Sequence, residues 1–254
     1  MNDIRVAILA AGKGTRMDTL IPKPLIPLAG RPLIDHLLEA IRLSGIDEKP
    51  LVIVGHQKEK LIDYLGDRVE YIVQEPLLGT GHAVQQALSA LSSTKHLLVF
   101  YADHPFVTPL TIQKIYKKHL DKKEPVTLAI LKLEHFNDPY ETFFHFGRIS
   151  RSSNGLIERI IEKKDANEKE LQIHEVNPGY YAFDIVWLQN HLKKLTNQNI
   201  QNEYYLTDLV ELAIKEGRII TEVFLSDPLE AMGMNTKGQH QIAEKLFISQ
   251  TRSL

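Results

Sequence analysis

The chain of 254 residues contains no cysteine. Disulfides, thiolate metal sites and cysteine nucleophiles are therefore excluded, and nothing argues for an oxidising compartment. An excess of one charge is also missing: 30 lysines and arginines stand against 32 aspartates and glutamates, for a formal net charge of -2. With no bulk attraction to nucleic acid or to an anionic membrane, any phosphate site must be built locally. No apolar run approaches the roughly 18 residues that a membrane-spanning helix requires. The stretch Val6 to Ala11 is too short and wrongly flanked for a secretory leader. Linkers, repeats and low-complexity tracts are absent too. The expectation is a cytoplasmic protein with neither nucleic acid nor membrane as partner.

What is present is a 43% hydrophobic composition, enough to bury a sizeable core. Short β-rich runs, Val6–Leu9, Leu51–Val54, Tyr71–Val73 and Leu97–Phe100, alternate with helical patterns. Leu33, Ile34, Leu37, Leu38 and Ile41 recur at helical spacing opposite Asp35, Glu39 and Arg42, and Gly45 supplies a stop. His82–Leu91 and Pro109–His119 read as further crossover helices. Later strands are expected at Val126–Leu131, Leu156–Ile161 and Val176–Phe183, with helices at Leu206–Lys215 and Gln239–Phe247. The pattern predicts an α/β fold, Rossmann-like, with a mixed, mainly parallel sheet flanked by helices on both faces. Ligands then collect at the carboxyl ends of the strands.

Directly after the first strand, Leu9-Ala10-Ala11-Gly12-Lys13-Gly14-Thr15-Arg16 forms a small-residue turn with two cations. Glycines let backbone N–H groups approach phosphate oxygens, and Lys13 and Arg16 neutralise charge. The P-loop spacing is missing, and Gly-x-Gly alone is a weak dinucleotide signal. Pro22-Lys23-Pro24 holds a third cation between two prolines that restrict its backbone. At the end of another apolar strand, Asp103 is placed to hold a hard cation beside phosphates. The plainer readings are a tight β-to-α turn for the first segment, a turn cap for Asp103 and an N-cap of the last helix for Asn235.

Leu9 to Met17, followed by Pro22-Lys23-Pro24-Leu25 and Leu28-Ala29-Gly30-Arg31-Pro32-Leu33, resembles the signature of the sugar-1-phosphate nucleotidyltransferases. Within that superfamily, Gln74-Glu75-Pro76-Leu77-Leu78-Gly79-Thr80-Gly81-His82-Ala83 is similar to the uridylyltransferase domain of the bacterial bifunctional N-acetylglucosamine-1-phosphate enzymes. Phe146-Gly147-Arg148-Ile149, Ile161 to Ala166, Val176-Asn177-Pro178-Gly179 and Asn202 to Asp208 extend the resemblance over about residues 4 to 248. It implies one nucleotidyltransferase domain over 1–254, with a nucleotide-binding half to about 110 and a sugar-binding half from about 111. It implies catalysis by Arg16 and Lys23, and nucleotide binding by Leu9, Ala10, Ala11, Gly12, Lys13, Gly14, Gln74, Gly79 and Thr80. Acceptor contacts fall to Ala102, Gly147, Glu162 and Asn177, and Mg²⁺ is held by Asp103 and Asn235. The implied substrates are UTP and N-acetylglucosamine 1-phosphate. Homo-oligomerisation is left open.

A glutamine offers a donor and an acceptor side by side, which suits a pyrimidine edge; the plainer alternative at this loop is Thr80 capping the next helix. Bulky Phe143-Phe144-His145-Phe146 stands where the family carries small residues, Pro178 replaces a threonine and Ala102 a glycine. Other acceptors therefore stay open: glucose or mannose 1-phosphate, or a phosphorylated alditol or amino alcohol, with CTP or dTTP as the donor. So does a nucleotide-sugar-binding regulator without turnover. The chain stops where the resembled enzymes begin a hexapeptide β-helix, so no acetyltransferase activity is expected.

Overall fold

Apolar runs bounded by turn residues become strands, and the amphipathic segments between them become the helices that cover the sheet. The computed structural model describes residues 3–14, 21–138 and 140–251. It begins with β1 (Ile4–Leu9), the small hairpin β2 (Pro27–Leu28) and β3 (Arg31–Pro32), and α1 (Leu33–Ser44). There follow β4 (Leu51–Val54), α2 (Lys58–Leu65), β5 (Glu70–Val73), α3 (Thr80–Ala87), β6 (His96–Tyr101) and α4 (Pro109–Lys122). The second half runs β7 (Val126–Lys132), β8 (Gly147–Arg151), β9 (Ile157–Ile161), β10 (Glu175–Asn177), β11 (Tyr181–Asp184), α5 (Ile185–His191), α6 (Asp208–Lys215), β12 (Thr221–Phe224) and α7 (Lys237–Thr251).

Strands β5, β4, β1 and β6 lie side by side in parallel. β11 enters antiparallel between β6 and β7, and β12 joins β7 in parallel. An antiparallel arm, β10-β8-β9, continues from β7. The sheet is the mixed, mainly parallel one expected. Alternation along β1 divides the core in two: Val6 and Ile8 face a layer with α1, α2 and α4, whereas Ala7 and Leu9 face α3, α5 and α6. In α1, Leu33, Ile34, Leu37 and Ile41 are fully buried, and Gly45 ends the helix in the left-handed conformation, donating to the Arg42 carbonyl.

Several boundaries differ from the expectations. The strand read over Val176–Phe183 is two strands, β10 and β11. Pro178 lacks an N–H to continue a ladder, and Asn177 Oδ1 accepts the Gly179 N–H at 2.8 Å, turning the chain. The helix expected from His82 starts at Thr80, with Gly79 rather than Thr80 at its N-cap, and gives way to a 3-10 turn over Leu88–Leu91. α6 starts at Asp208 rather than Leu206. The hairpin β2–β3, α2, β8, α5 and β12 are additional. No described helix is long and apolar enough to cross a membrane.

Candidate active site

A cleft of about 530 Å³ opens at the carboxyl ends of β1, β5 and β6. The chain leaves β1 for β4 on one side and later returns as β6 on the other, which is the topological switch point where such sheets bind ligands. Leu9, Ala10, Ala11, Gly12, Lys13 and Gly14 form one wall, held down by the Ala10 N–H on the Ile53 carbonyl (2.9 Å) and the His56 N–H on the Ala11 carbonyl (3.1 Å). Gly14 has φ +59°, and a Cβ there would lie 3.0 Å from the Cβ of Lys23, so its lack of a side chain lets the two segments meet. Lys13 is exposed. Arg16 lies outside the described residues.

Three residues far apart in sequence meet on the cleft floor. Lys23 Nζ donates to Asp103 Oδ2 and, at 2.7 Å, to Asn235 Oδ1. The Asp103 carboxylate takes the Lys23 ammonium, and its backbone carbonyl accepts the Met234 N–H at 2.9 Å, tying the strand end to the segment that carries Asn235. The cap of α7 is Thr236, whose hydroxyl accepts from the Gln239 N–H, while Gln239 Oε1 accepts from the N–H groups of Asn235 (2.6 Å) and Thr236 (2.9 Å). This Thr-x-x-Gln capping box leaves the Asn235 side chain to the cleft. Burial pushes the Asp103 carboxyl up, but the Lys23 ammonium and His104 outweigh it and hold the pKa below the usual carboxylate value. His104 is buried and braces the turn: its Nδ1 lies 2.6 Å from the Tyr180 hydroxyl, which donates to the Glu230 carbonyl.

A carboxylate and an amide oxygen converging on a positive charge fit a hard divalent cation that also takes phosphate oxygens and water. Among the described residues no group of three or more His, Asp or Glu side chains forms a self-sufficient metal cage. The donor set is therefore one that would hold a divalent cation only with further oxygens from a ligand or water.

On the opposite wall, Gln74 is buried, with its Nε2 on the Gly79 carbonyl (2.9 Å) and beside His82 Nδ1 (3.1 Å). Its carbonyl oxygen remains as the acceptor at the cleft. Gly79 has φ +106°, and a Cβ there would come within 2.7 Å of the Tyr204 carbonyl. That same carbonyl accepts the Gly81 N–H at 2.8 Å, and the Thr80 hydroxyl accepts the Leu206 N–H at 3.0 Å. The Gly79–Gly81 loop and the Asn202–Asp208 segment thus form one unit at the N-terminus of α3.

The expected acceptor residues also come together, beside the cleft rather than in its lining, except Ala102, which lines it. Asn177 pairs with Gly147 across β10 and β8, and a Cβ on Gly147 would lie 3.7 Å from Glu162 Oε1. Asn177 Nδ2 donates to the Tyr181 hydroxyl at 2.6 Å. Burial pushes Glu162 up to about 7, partly offset by the Thr207 hydroxyl, which donates to it at 3.2 Å; Asp165, Asp208 and Glu203 add to the rise. Tyr101, which sequence reasoning missed, links the two regions: it lines the cleft, bonds Thr80 and feels the charges of Glu162 and Asp103. Its position at the end of an apolar strand was the available signal. In the aromatic run, Phe144 and Phe146 are half-buried and His145 is exposed. Phe143 is buried, and the Arg148 guanidinium sits 5.1 Å from the Phe144 ring centroid, donating to the Phe144, Phe146 and Leu171 carbonyls.

A mixed, mainly parallel α/β sheet, with a small-residue loop carrying Lys13 and a carboxylate–amide pair on Lys23 at its switch point, defines the class. The model of the MobA-like NTP transferase domain matches residues 6–166, and the chain belongs to that family. It is 41% identical over 231 residues to the "Bifunctional protein GlmU" of Latilactobacillus sakei subsp. sakei (strain 23K), covering 91% of this chain and 48% of that protein. The same-named protein of Enterococcus faecalis (strain ATCC 700802 / V583) is 39% identical over 241 residues, 94% of this chain and 51% of the relative. The chain thus spans about half the length of these curated relatives. Among solved structures, a UDP-glucose pyrophosphorylase complexed with UDP-glucose superposes with a TM-score of 0.77 at 20% identity, covering 98% of this chain and 100% of that one. A putative glucose-1-phosphate thymidylyltransferase from Bacillus anthracis gives 0.75 at 20% identity over 96% and 94% of the two chains. At that identity the likeness establishes the fold.

Proposed function

We propose that the chain is a cytoplasmic, Mg²⁺-dependent nucleotidyltransferase that joins UTP to N-acetylglucosamine 1-phosphate, releasing pyrophosphate and forming the nucleotide sugar. The observation that carries this reading is the meeting of Lys23, Asp103 and Asn235 on the floor of the cleft. An oxygen of the acceptor phosphate attacks the α-phosphorus of the triphosphate as the bond to the bridging β-phosphate oxygen breaks, and pyrophosphate leaves. The acceptor monoester, with a second pKa of about 6, is already largely dianionic at neutral pH, so no protein base takes part.

The protein's task is then to bring two anions together and to stabilise charge on the transferring phosphate. The loop Leu9–Gly14 and Lys13 receive the triphosphate, with Arg16 assigned from the sequence. Lys23 supplies positive charge at the transferring group. Asp103 and Asn235 would hold Mg²⁺, which when bound neutralises phosphate charge. Gln74, with Gly79 and Thr80, reads the uracil edge through its carbonyl oxygen, and Gly147, Glu162 and Asn177 receive the sugar next to Ala102.

The test is pyrophosphate release from each nucleoside triphosphate with Mg²⁺ across a panel of sugar 1-phosphates. Turnover is expected with UTP and N-acetylglucosamine 1-phosphate. Preference for another pair would overturn the substrate assignment, and nucleotide binding without any pyrophosphate release would overturn the catalytic one.

A further inference from the structure

A glutamine amide is ambiguous as a reader of bases. With its carbonyl oxygen toward the ligand it matches the N3–H of uracil; turned over, it offers an N–H that matches the lone pair on cytosine N3. At Gln74 the choice between the two pyrimidines therefore lies in what stands behind the amide.

Two acceptors stand there. Gln74 Nε2 donates to the Gly79 carbonyl at 2.9 Å and lies 3.1 Å from His82 Nδ1. A carbonyl oxygen only accepts, so the NH2 end of the amide must face this side, and its second hydrogen falls to His82 Nδ1. Gln74 Oε1 accepts from no described residue, is not sealed in the interior, and belongs to a residue that lines the cleft. A hydrogen on His82 Nδ1 would point at the amide NH2, so the ring is the tautomer that carries its hydrogen on Nε2. That hydrogen needs an acceptor in turn. The Gln86 amide, one turn along α3, lies 3.0 Å from His82 Nε2. A neutral imidazole has one lone-pair nitrogen, so Gln86 presents its carbonyl oxygen there, the two ends of an amide having the same outline. Burial lowers the pKa of His82, which keeps the ring neutral at pH 7 and its Nδ1 lone pair available. Neither His82 nor Gln86 lines the cleft, so this chain of side chains acts on a ligand through Gln74.

We propose that His82, its tautomer held by Gln86, is a positioning residue for base selection: with the Gly79 carbonyl it locks the Gln74 amide oxygen toward the cleft, so that the site takes UTP and rejects CTP. The inference rests on the reading of the base by Gln74 given above and adds the residues that decide its outcome. Reversing the amide would set its oxygen against the Gly79 carbonyl and against the His82 lone pair at once, and removing the lone pair takes away one of the two locks.

The experiment measures the dissociation constants of UTP and CTP for the full chain with Mg²⁺ by isothermal titration calorimetry, on variants whose circular dichroism matches wild type. Wild type should prefer UTP by at least about 30-fold, because cytosine would set a lone pair against Gln74 Oε1. His82→Leu, with His82→Ala in its place if the leucine variant does not fold, should cut that preference about fivefold or more, the scale of one hydrogen bond. His82→Asn, whose Oδ1 can stand where Nδ1 stood, should keep it within about twofold. A histidine with only a structural part would weaken both nucleotides alike and leave the ratio where it was. Gln74→Met separates this inference from the reading beneath it. If the ratio collapses in Gln74→Met but holds in the apolar His82 variant, or falls equally in His82→Asn, the role of His82 is overturned and the base reading stands. A ratio unchanged in Gln74→Met, or a wild type without preference, overturns the base reading and the inference with it.

Discussion

A carboxylate crowded by other carboxylates costs free energy when it ionises, and Glu162 is in that position. Burial first, and then Asp165, Asp208 and Glu203, raise it from 4.5 to about 7. Between those pH values the folded chain binds a proton that the unfolded chain has released, so stability falls as pH rises through that window. Asp208, raised by burial to about 6, acts in the same direction. Glu162→Gln should therefore gain roughly 1–2 kcal/mol relative to wild type at pH 8 and little at pH 4.5, discounted for the residue's partial contact with solvent. Urea unfolding at the two pH values checks this, and parallel stability curves would refute it. At this scale much of the site was legible. Asp103 announced itself by residue type and by position after a strand, Lys23 by the prolines on either side of it, and Gln74 through the resemblance. Asn235 needed the resemblance, because its neighbour Thr236 carries the capping box and nothing local distinguishes the two. Tyr101 offered only its position at the end of a buried strand, a signal that does not separate an aromatic facing the core from one facing a ligand.

Elements were legible where periodicity was long and hidden where tertiary contacts decide. α1 and α4 are amphipathic over 12 and 14 residues, and both appeared as expected. α2 escaped notice because it is mostly polar and buries only Leu61 and Leu65. The start of α3 was misplaced because Gly79-Thr80-Gly81 has the composition of a loop. What makes it a helix start is the Tyr204 carbonyl receiving the Gly81 N–H, 123 positions along the chain. Gly79→Ala combines a positive φ with a Cβ driven into the Tyr204 backbone, and it should destabilise by about 2–4 kcal/mol. Denaturant unfolding measures this directly. A loss under about 0.5 kcal/mol, the level of an ordinary surface change, would mean that the two loops are not locked together.

For the whole molecule, alternating strands and helices sufficed to place the sheet and its ligand-binding end. They could not reveal the antiparallel insertion of β11, because pairing between distant strands leaves no local trace. One sheet, running from β5 to β9 with β12 paired to β7, carries both the cleft and the Gly147, Glu162 and Asn177 cluster beside it. Ligand binding should therefore register in global stability: UTP at 100 times its dissociation constant adds about 2.7 kcal/mol. Mg²⁺ should enhance that effect in the wild type but not in Asp103→Ala, as read by thermal melts. An equal enhancement in both would remove Asp103 from cation binding.

The most direct test of the account is the turnover number of Lys23→Ala with saturating UTP, N-acetylglucosamine 1-phosphate and Mg²⁺, on protein whose circular dichroism matches wild type. The account predicts a fall of at least about 100-fold, the scale associated with losing one charge-stabilising group at a reacting centre. Near-normal turnover would contradict it and would leave the Lys23–Asp103–Asn235 cluster as a structural tie.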